Sequence, residues 1–279
     1  MAPKRVLKPL LIGFITFLMT VVTAVTGPVS ATATPVPDSM ASLGDSITRG
    51  FNACGWYVDC TSRSWSTGSY GPVRSHYLRI VAANPAMSSN AHNDARSGAK
   101  VSDLDRQAQL AVSQRVEYVT ILMGANDACT SSESTMTTVD AFESRFRTAM
   151  TTLDSGLPGA RILVASIPDI KRLWYVGKDS WAARTAWDLG NVCQSMLANP
   201  RSTASVDVAR RDRVQQRVID FNAVLADVCT EYPQCRFDGN AVFSYPFTLS
   251  LVSRWDYFHP NTAGQTVLAD VTYRAGYGW

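Results

Sequence analysis

A serine hydroxyl attacks a carbonyl efficiently only when a base takes its proton, and the base serves best when a third group fixes its tautomer. Among the candidate bases His76, His92 and His259, the last stands out. It lies in Asp256-Tyr257-Phe258-His259-Pro260, where an acid three residues upstream can reach round a tight turn to the ring. Ser46, in Gly44-Asp45-Ser46-Ile47-Thr48, follows a short apolar run, and the glycine permits a sharp turn that presents a hydroxyl at a sheet edge. Gly124-Ala125-Asn126-Asp127 follows a second such run, and the Asn126 amide there can donate to an oxyanion. Taken singly, each segment also fits ordinary turn and cap chemistry. Thr48 breaks the G-x-S-x-G pattern, which argues against the nucleophile elbow of α/β-hydrolases.

Such residues need strands to hold them. Asp38 to Leu43, ending at Gly44, and Glu117 to Met123, ending at Gly124, read as buried strands. Arg161 to Ile167, stopped by Pro168, is a third, and Cys235 to Phe237 a shorter fourth. Val139, Phe142, Phe146, Met150 and Leu153 recur at helical spacing, with Asp140 and Glu143 as an acidic variant of a capping box and Gly156 and Pro158 as the stop. Val214, Val218, Phe221, Leu225 and Val228 form a second stripe, and a last helix starts near Asn261 or Thr262 with Val267, Leu268 and Val271 inward. Alternating strands and helices imply a parallel sheet covered on both faces. Functional groups then gather beyond the carboxyl ends of the strands, which places Ser46 and Asn126 on one rim.

Gly-Asp-Ser early, Gly-x-Asn-Asp in the middle and Asp-x-x-His near the end resemble, in order and spacing, the blocks of the GDSL, or SGNH, hydrolases. The resemblance implies an α/β fold: a three-layer α/β/α sandwich with a central parallel sheet, flavodoxin-like in kind. It also implies a serine ester hydrolase acting through an acyl-enzyme. Ser46 resembles the block I nucleophile, Asn126 the block III oxyanion donor, and Asp256 with His259 the block V dyad. Gly98, in Ala95-Arg96-Ser97-Gly98-Ala99, precedes a helical stretch and is the choice for block II. The backbone N–H groups of Ser46 and Gly98 would join the Asn126 amide in an oxyanion hole. Ile47 replaces the name-giving leucine. The implied substrate is a small-molecule or lipid ester, with fatty-acyl esters favoured. The alternatives are a carbohydrate O-acetylesterase of the same fold and a non-catalytic secreted binding protein. The aromatic-rich segments Phe51 to Tyr70 and Leu173 to Trp187 are candidates to shape the pocket. Asp45 and Asp127 raise a paired-carboxylate glycosidase, which is set aside because each fits a turn or cap and His259 would go unused.

Lys4, Arg5 and Lys8 precede an apolar run from Leu10 to Val25, too short to span a bilayer at about 16 residues. Small residues follow, so residues 1–33 read as a signal peptide, cleaved after Ala31 or Ala33. Residues 34–279 then form a single secreted domain with no membrane span. Taking the three leader cations from the 26 basic residues leaves 23 against 23 acidic ones, which offers no basic footprint for nucleic acid. Six cysteines in an exported chain suggest disulfides. The near pairs Cys54–Cys60 and Cys229–Cys235 would close tight loops, leaving Cys129 with Cys193. No metal-ligand spacing, phosphate-cradling loop or dinucleotide fingerprint occurs, so no cofactor is expected. A monomer is the default.

Overall fold

Five strands form one parallel sheet in the order β2-β1-β3-β4-β5. They are β1 (Met40–Gly44), β2 (Ala91–Asn93), β3 (Tyr118–Leu122), β4 (Arg161–Val164) and β5 (Cys235–Phe237). The computed structural model describes residues 1–6 and 35–279, and residues 35–279 lie in one compact unit. The leader read over residues 1–33 falls outside the described residues, except for 1–6, which carry no helix or strand. No helix among the described residues is long and apolar enough to cross a membrane.

The two faces of the sheet differ in chemistry because successive strand residues point to opposite sides. Ala41, Leu43, Val119, Ile121, Ile162 and Val164 join the main apolar core. Three helices supply much of the rest of that core, with α4 (Val139–Gly156) packed between α2 (Leu104–Gln114) and α8 (Ser205–Cys229). Phe142 of α4 stacks on Phe221 of α8 with centroids 4.1 Å apart. The intervening positions Met40, Tyr118 and Leu163 form a smaller cluster with Ile80 of α1 (His76–Ala83). Beside it, Thr120 bonds Ser66 at 2.6 Å and Ser42 bonds Thr67 at 3.2 Å. His76 belongs to this layer, between the Tyr118 hydroxyl at 2.9 Å and Thr272 of α9 (Thr262–Ala275) at 2.8 Å. Burial drives its pKa down to about 3, with Arg79 adding to the effect. It is therefore a neutral core residue with both ring nitrogens engaged. Four shorter helices complete the fold: α3 (Ala125–Ala128), α5 (Ile170–Gly177), α6 (Trp181–Leu189) and α7 (Gln194–Leu197).

The structure is the expected three-layer arrangement around a parallel sheet. β2 is a strand that sequence reading omits: three half-buried residues, Ala-His-Asn, carry no apolar alternation. Thr138, rather than Asp140 with Glu143, caps α4 by accepting from the Ala141 N–H. In α9, Gln265 and Thr272 turn inward beside Leu268, while Val267 and Val271 are only half-buried. The two polar residues are accepted because each finds partners: Gln265 bonds the Trp65 N–H and the Ile47 carbonyl, and Thr272 bonds His76. Of the aromatic-rich segments, Trp65 and Trp187 are fully packed core residues rather than pocket walls.

Candidate active site

Ser46 follows β1 through a glycine that no other residue can replace. Gly44 has φ +149°, and a Cβ there would lie 2.4 Å from the Leu122 carbonyl and 2.5 Å from the Thr48 hydroxyl. Gln107 of α2 grips the same residue at both ends, accepting from its N–H at 2.7 Å and donating to its carbonyl at 2.9 Å. The chain then winds into one helical turn, with Arg49 N–H donating to the Asp45 carbonyl and Phe51 N–H to the Ser46 carbonyl. This turn leaves the Ser46 hydroxyl at the sheet edge, only 7% exposed.

His259 and Asp256 ride on a turn closed by its own backbone. Val252 and Pro260 form an isolated antiparallel bridge, the Ser253 N–H donates to the His259 carbonyl at 2.8 Å, and Asn261 caps α9 directly afterwards. Inside the turn, the Phe258 and His259 N–H groups donate to Asp256 Oδ1 at 2.9 and 3.1 Å. Its Oδ2 lies 2.6 Å from His259 Nδ1, and His259 Nε2 lies 2.8 Å from Ser46 Oγ. The amide of Asn52 also donates to Asp256 Oδ2, at 2.6 Å. Burial pushes the Asp256 carboxyl up, but the His259 hydrogen bond and charge and the two N–H donors outweigh it and hold the pKa below the ordinary value. Asp256 is thus an anion, with every close partner a donor. The rings of Phe51 and Phe258 meet His259 edge-on, with centroids 4.8 and 5.0 Å away.

The two strands that flank β1 deliver further groups that face the serine. Gly98 sits in the loop after β2, with φ +80° and open space where a Cβ would be. Asn126 lies in α3, directly after β3, where Gly124 (φ +122°) allows Ile167 and Phe142 to close in. Its amide donates to the Ala99 carbonyl at 2.9 Å, which ties the two loops together and leaves the second amide hydrogen available. Neither the Ser46 nor the Gly98 N–H donates to another group among the described residues. Ser46, Gly98, Asn126 and His259 line one cleft of about 260 Å³. Cys129 and Cys193 line it too, and they are bonded to each other; Cys54 pairs with Cys60 and Cys229 with Cys235. A second, narrow crevice of about 60 Å³ adjoins it, lined by Ile47, Ala125, Leu173, Val176, Phe247 and Phe258 among others. Ile47 and Ala125 are the chain neighbours of Ser46 and Asn126, and Phe258 borders both spaces.

Two buried acids flank the site. Asp127 anchors α3, accepting from the Val101 N–H at 2.9 Å and the Thr137 hydroxyl at 2.7 Å. Burial raises its pKa against those bonds. Asp45 is fully buried, accepts from the Ile47 N–H at 2.9 Å through Oδ1, and has no partner for Oδ2 among the described residues. Burial lifts its pKa to about 7, despite the lowering pull of the Ile47 N–H and of His259. Sequence reading places both acids in turns but does not anticipate the raised pKa of Asp45. It also passes over Asn52 and Gln107. A lone Asn at φ +61° and a Gln on a helix carry no spacing signal toward partners 204 and 63 residues away.

A 2-1-3-4-5 parallel sheet places its ligand crevice where the strand order reverses, between β1 and β3. Ser46 and Asn126 stand at that point, the layout of a doubly wound α/β fold. Residues 40–272 match the family GDSL-like Lipase/Acylhydrolase, and the chain belongs to it. Its fold is similar to a structure from Parabacteroides merdae ATCC 43184 described as a GDSL-like lipase, with TM-score 0.53, 16% identity, and coverage of 85% of this chain and 94% of the other. It is likewise similar to the lipase Lip_vut3 from a goat rumen metagenome, with TM-score 0.53, 14% identity, and coverage of 86% and 97%. At these identities the likeness concerns the fold. Curated protein sequences yield no match.

Proposed function

We propose that the protein is an exported serine hydrolase of carboxylic esters, acting on fatty-acyl esters through Ser46, His259 and Asp256. The observation that carries the reading is the unbroken hydrogen-bonded line from Asp256 Oδ2 to His259 Nδ1 and from His259 Nε2 to Ser46 Oγ, at 2.6 and 2.8 Å. His259 takes the Ser46 proton as the oxygen attacks the ester carbonyl, and Asp256 steadies the imidazolium. The alcohol leaves with that proton, an acyl-enzyme remains, and water repeats the cycle. The oxyanion of each tetrahedral intermediate is held by the Ser46 and Gly98 N–H groups and the Asn126 amide, whose free hydrogens support this role.

The apolar crevice beside Ser46 favours an acyl chain over an acetyl group, because a methyl would leave its walls unfilled. Three disulfides support an oxidising compartment and so the leader reading, with cleavage after Ala31 or Ala33. Fluorophosphonate labelling followed by peptide mapping, with p-nitrophenyl ester turnover across acyl lengths, tests the chemistry. The expected result is modification at Ser46, loss of labelling in Ser46→Ala and a maximum beyond acetate. A folded protein that neither labels nor turns over any ester refutes the hydrolase, and a preference confined to acetylated glycans refutes the acyl assignment.

A further inference from the structure

Beside the Asp256 turn the surface carries a group of large side chains that the fold leaves in solvent. Trp56 is 72% exposed, Tyr57 60% and Trp255 44%, and Val58 is exposed with them. They form one patch: the Trp255 ring meets Trp56 at 5.7 Å and Tyr57 at 6.0 Å between centroids, and the Tyr57 hydroxyl donates to the Trp255 carbonyl at 2.6 Å. Trp255 directly precedes Asp256, so the patch is fixed to the turn that carries His259.

The backbone holding these rings outward is unusual. Gly55, Trp56 and Tyr57 have φ of +82°, +79° and +31° in succession, a conformation bulky residues rarely adopt. These residues lie in the loop between Cys54 and Cys60. Glycine suits position 55, where φ is positive and a Cβ would press on the Trp255 indole nitrogen from 3.1 Å. Strain that lifts apolar rings into water, rather than burying them, points to a surface built for contact.

We propose that this patch seats the protein on a lipid bilayer bearing anionic headgroups, bringing the Ser46 cleft to substrate held in the membrane; the inference rests on the fatty-acyl reading above. Ring geometry and charge choose this occupant. A polysaccharide platform needs rings presenting a common flat face, but Trp56 and Tyr57 stand at 76° and 63° to Trp255. An interface asks only that amphipathic rings reach the headgroup level. Arg254, exposed and next to Trp255, has no ion-pair partner among the described residues. Asp59, the acid of the same loop, is already neutralised by Arg49 at 2.9 Å. The patch therefore offers a cation to a phosphate and no uncompensated acid to repel it.

The test compares the mature protein with Trp56→Ala/Val58→Ser, which alters exposed side chains outside the cleft. Sedimentation with phosphatidylcholine vesicles containing phosphatidylglycerol measures binding, and p-nitrophenyl acetate in solution measures the chemistry alone. The expected result is binding by the parent, weakened about tenfold or more in the double variant, with acetate turnover within about twofold and an unchanged circular dichroism spectrum. Retained vesicle binding in the variant, or no binding by a parent that cleaves the soluble ester, overturns the surface while leaving the hydrolase intact. Tight binding to insoluble acetylated xylan in place of vesicles also overturns it. A parent that cleaves no ester yet binds vesicles through Trp56 separates the failure of the hydrolase reading from that of the surface.

Discussion

Asp45 links the site to the stability of the whole domain, and Asp45→Asn isolates its contribution. In the folded protein burial raises its pKa from 3.8 to about 7, so the fold retains a proton that the unfolded chain releases. Stability from this group is complete below about pH 4 and is lost as pH rises through about 7. The difference between 3.8 and about 7 amounts to roughly 4 kcal/mol at full loss, or about 1.4 kcal/mol per pH unit in between. Water penetration and relaxation around the ionised carboxylate reduce this, so at least about 2 kcal/mol is expected. Asparagine is close in shape and cannot ionise. Urea unfolding with the disulfides intact, at pH steps from 4 to 8, gives the difference between parent and variant. Near-equal stability at pH 4 and a progressive gain for the asparagine variant toward pH 8 are expected. Other buried acids titrate in both proteins and cancel, apart from the coupling between Asp45 and Asp127. A difference that stays flat across the range refutes the protonated, desolvated Asp45.

Asn126→Ala removes one proposed oxyanion donor, and a fall of about 10²–10³ in kcat is expected without a matching fall in stability; steady-state kinetics with a p-nitrophenyl ester and a thermal melt check both. Asn52→Leu deprives Asp256 of one of its four hydrogen-bond donors, and kcat/KM should drop about tenfold through a less firmly held base; an unchanged kcat/KM would assign Asn52 a purely packing role. Val176→Trp fills the crevice next to Ser46 and should move the acyl-length optimum toward shorter esters while acetate turnover stays within about threefold; an unaltered chain-length profile would place the acyl chain elsewhere.

The chemistry-bearing residues were legible because each sits within a few positions of a strand end or helix start, where local chemistry leaves a mark. Gly44 before Ser46, Gly124 before Asn126 and Asn261 after His259 are such marks. The stripes of α4 and α8 were legible because burial on one face imposes a period, and the run of β3 because burial on both faces leaves it almost wholly apolar and β-branched. β2 left no mark: its Ala-His-Asn is only half-buried and holds no β-branched or large apolar residue to signal a strand. Its omission hides why Gly98 belongs to the site, since it is the placement of β2 beside β1 that carries the loop to Ser46. Gln107 and Asn52 act on partners far along the chain, and no local pattern encodes that. Asp45 shows a further gap, because its type was visible but its raised pKa follows from complete burial.

The separation of nucleophile and base has a consequence for when activity appears. Ser46 leaves the first strand of the sheet, whereas His259 lies 213 residues later, on a turn anchored by the cap of the last helix. A chain made from its N-terminus can therefore pair β1 with β3, and β3 with β4, long before it has the proposed general base. Such distant contacts form late, after loop closure has been overcome by earlier packing. On the proposed mechanism a molecule that ends before His259 would be inert toward esters, and hydrolytic turnover would count only chains whose final turn has docked against β1.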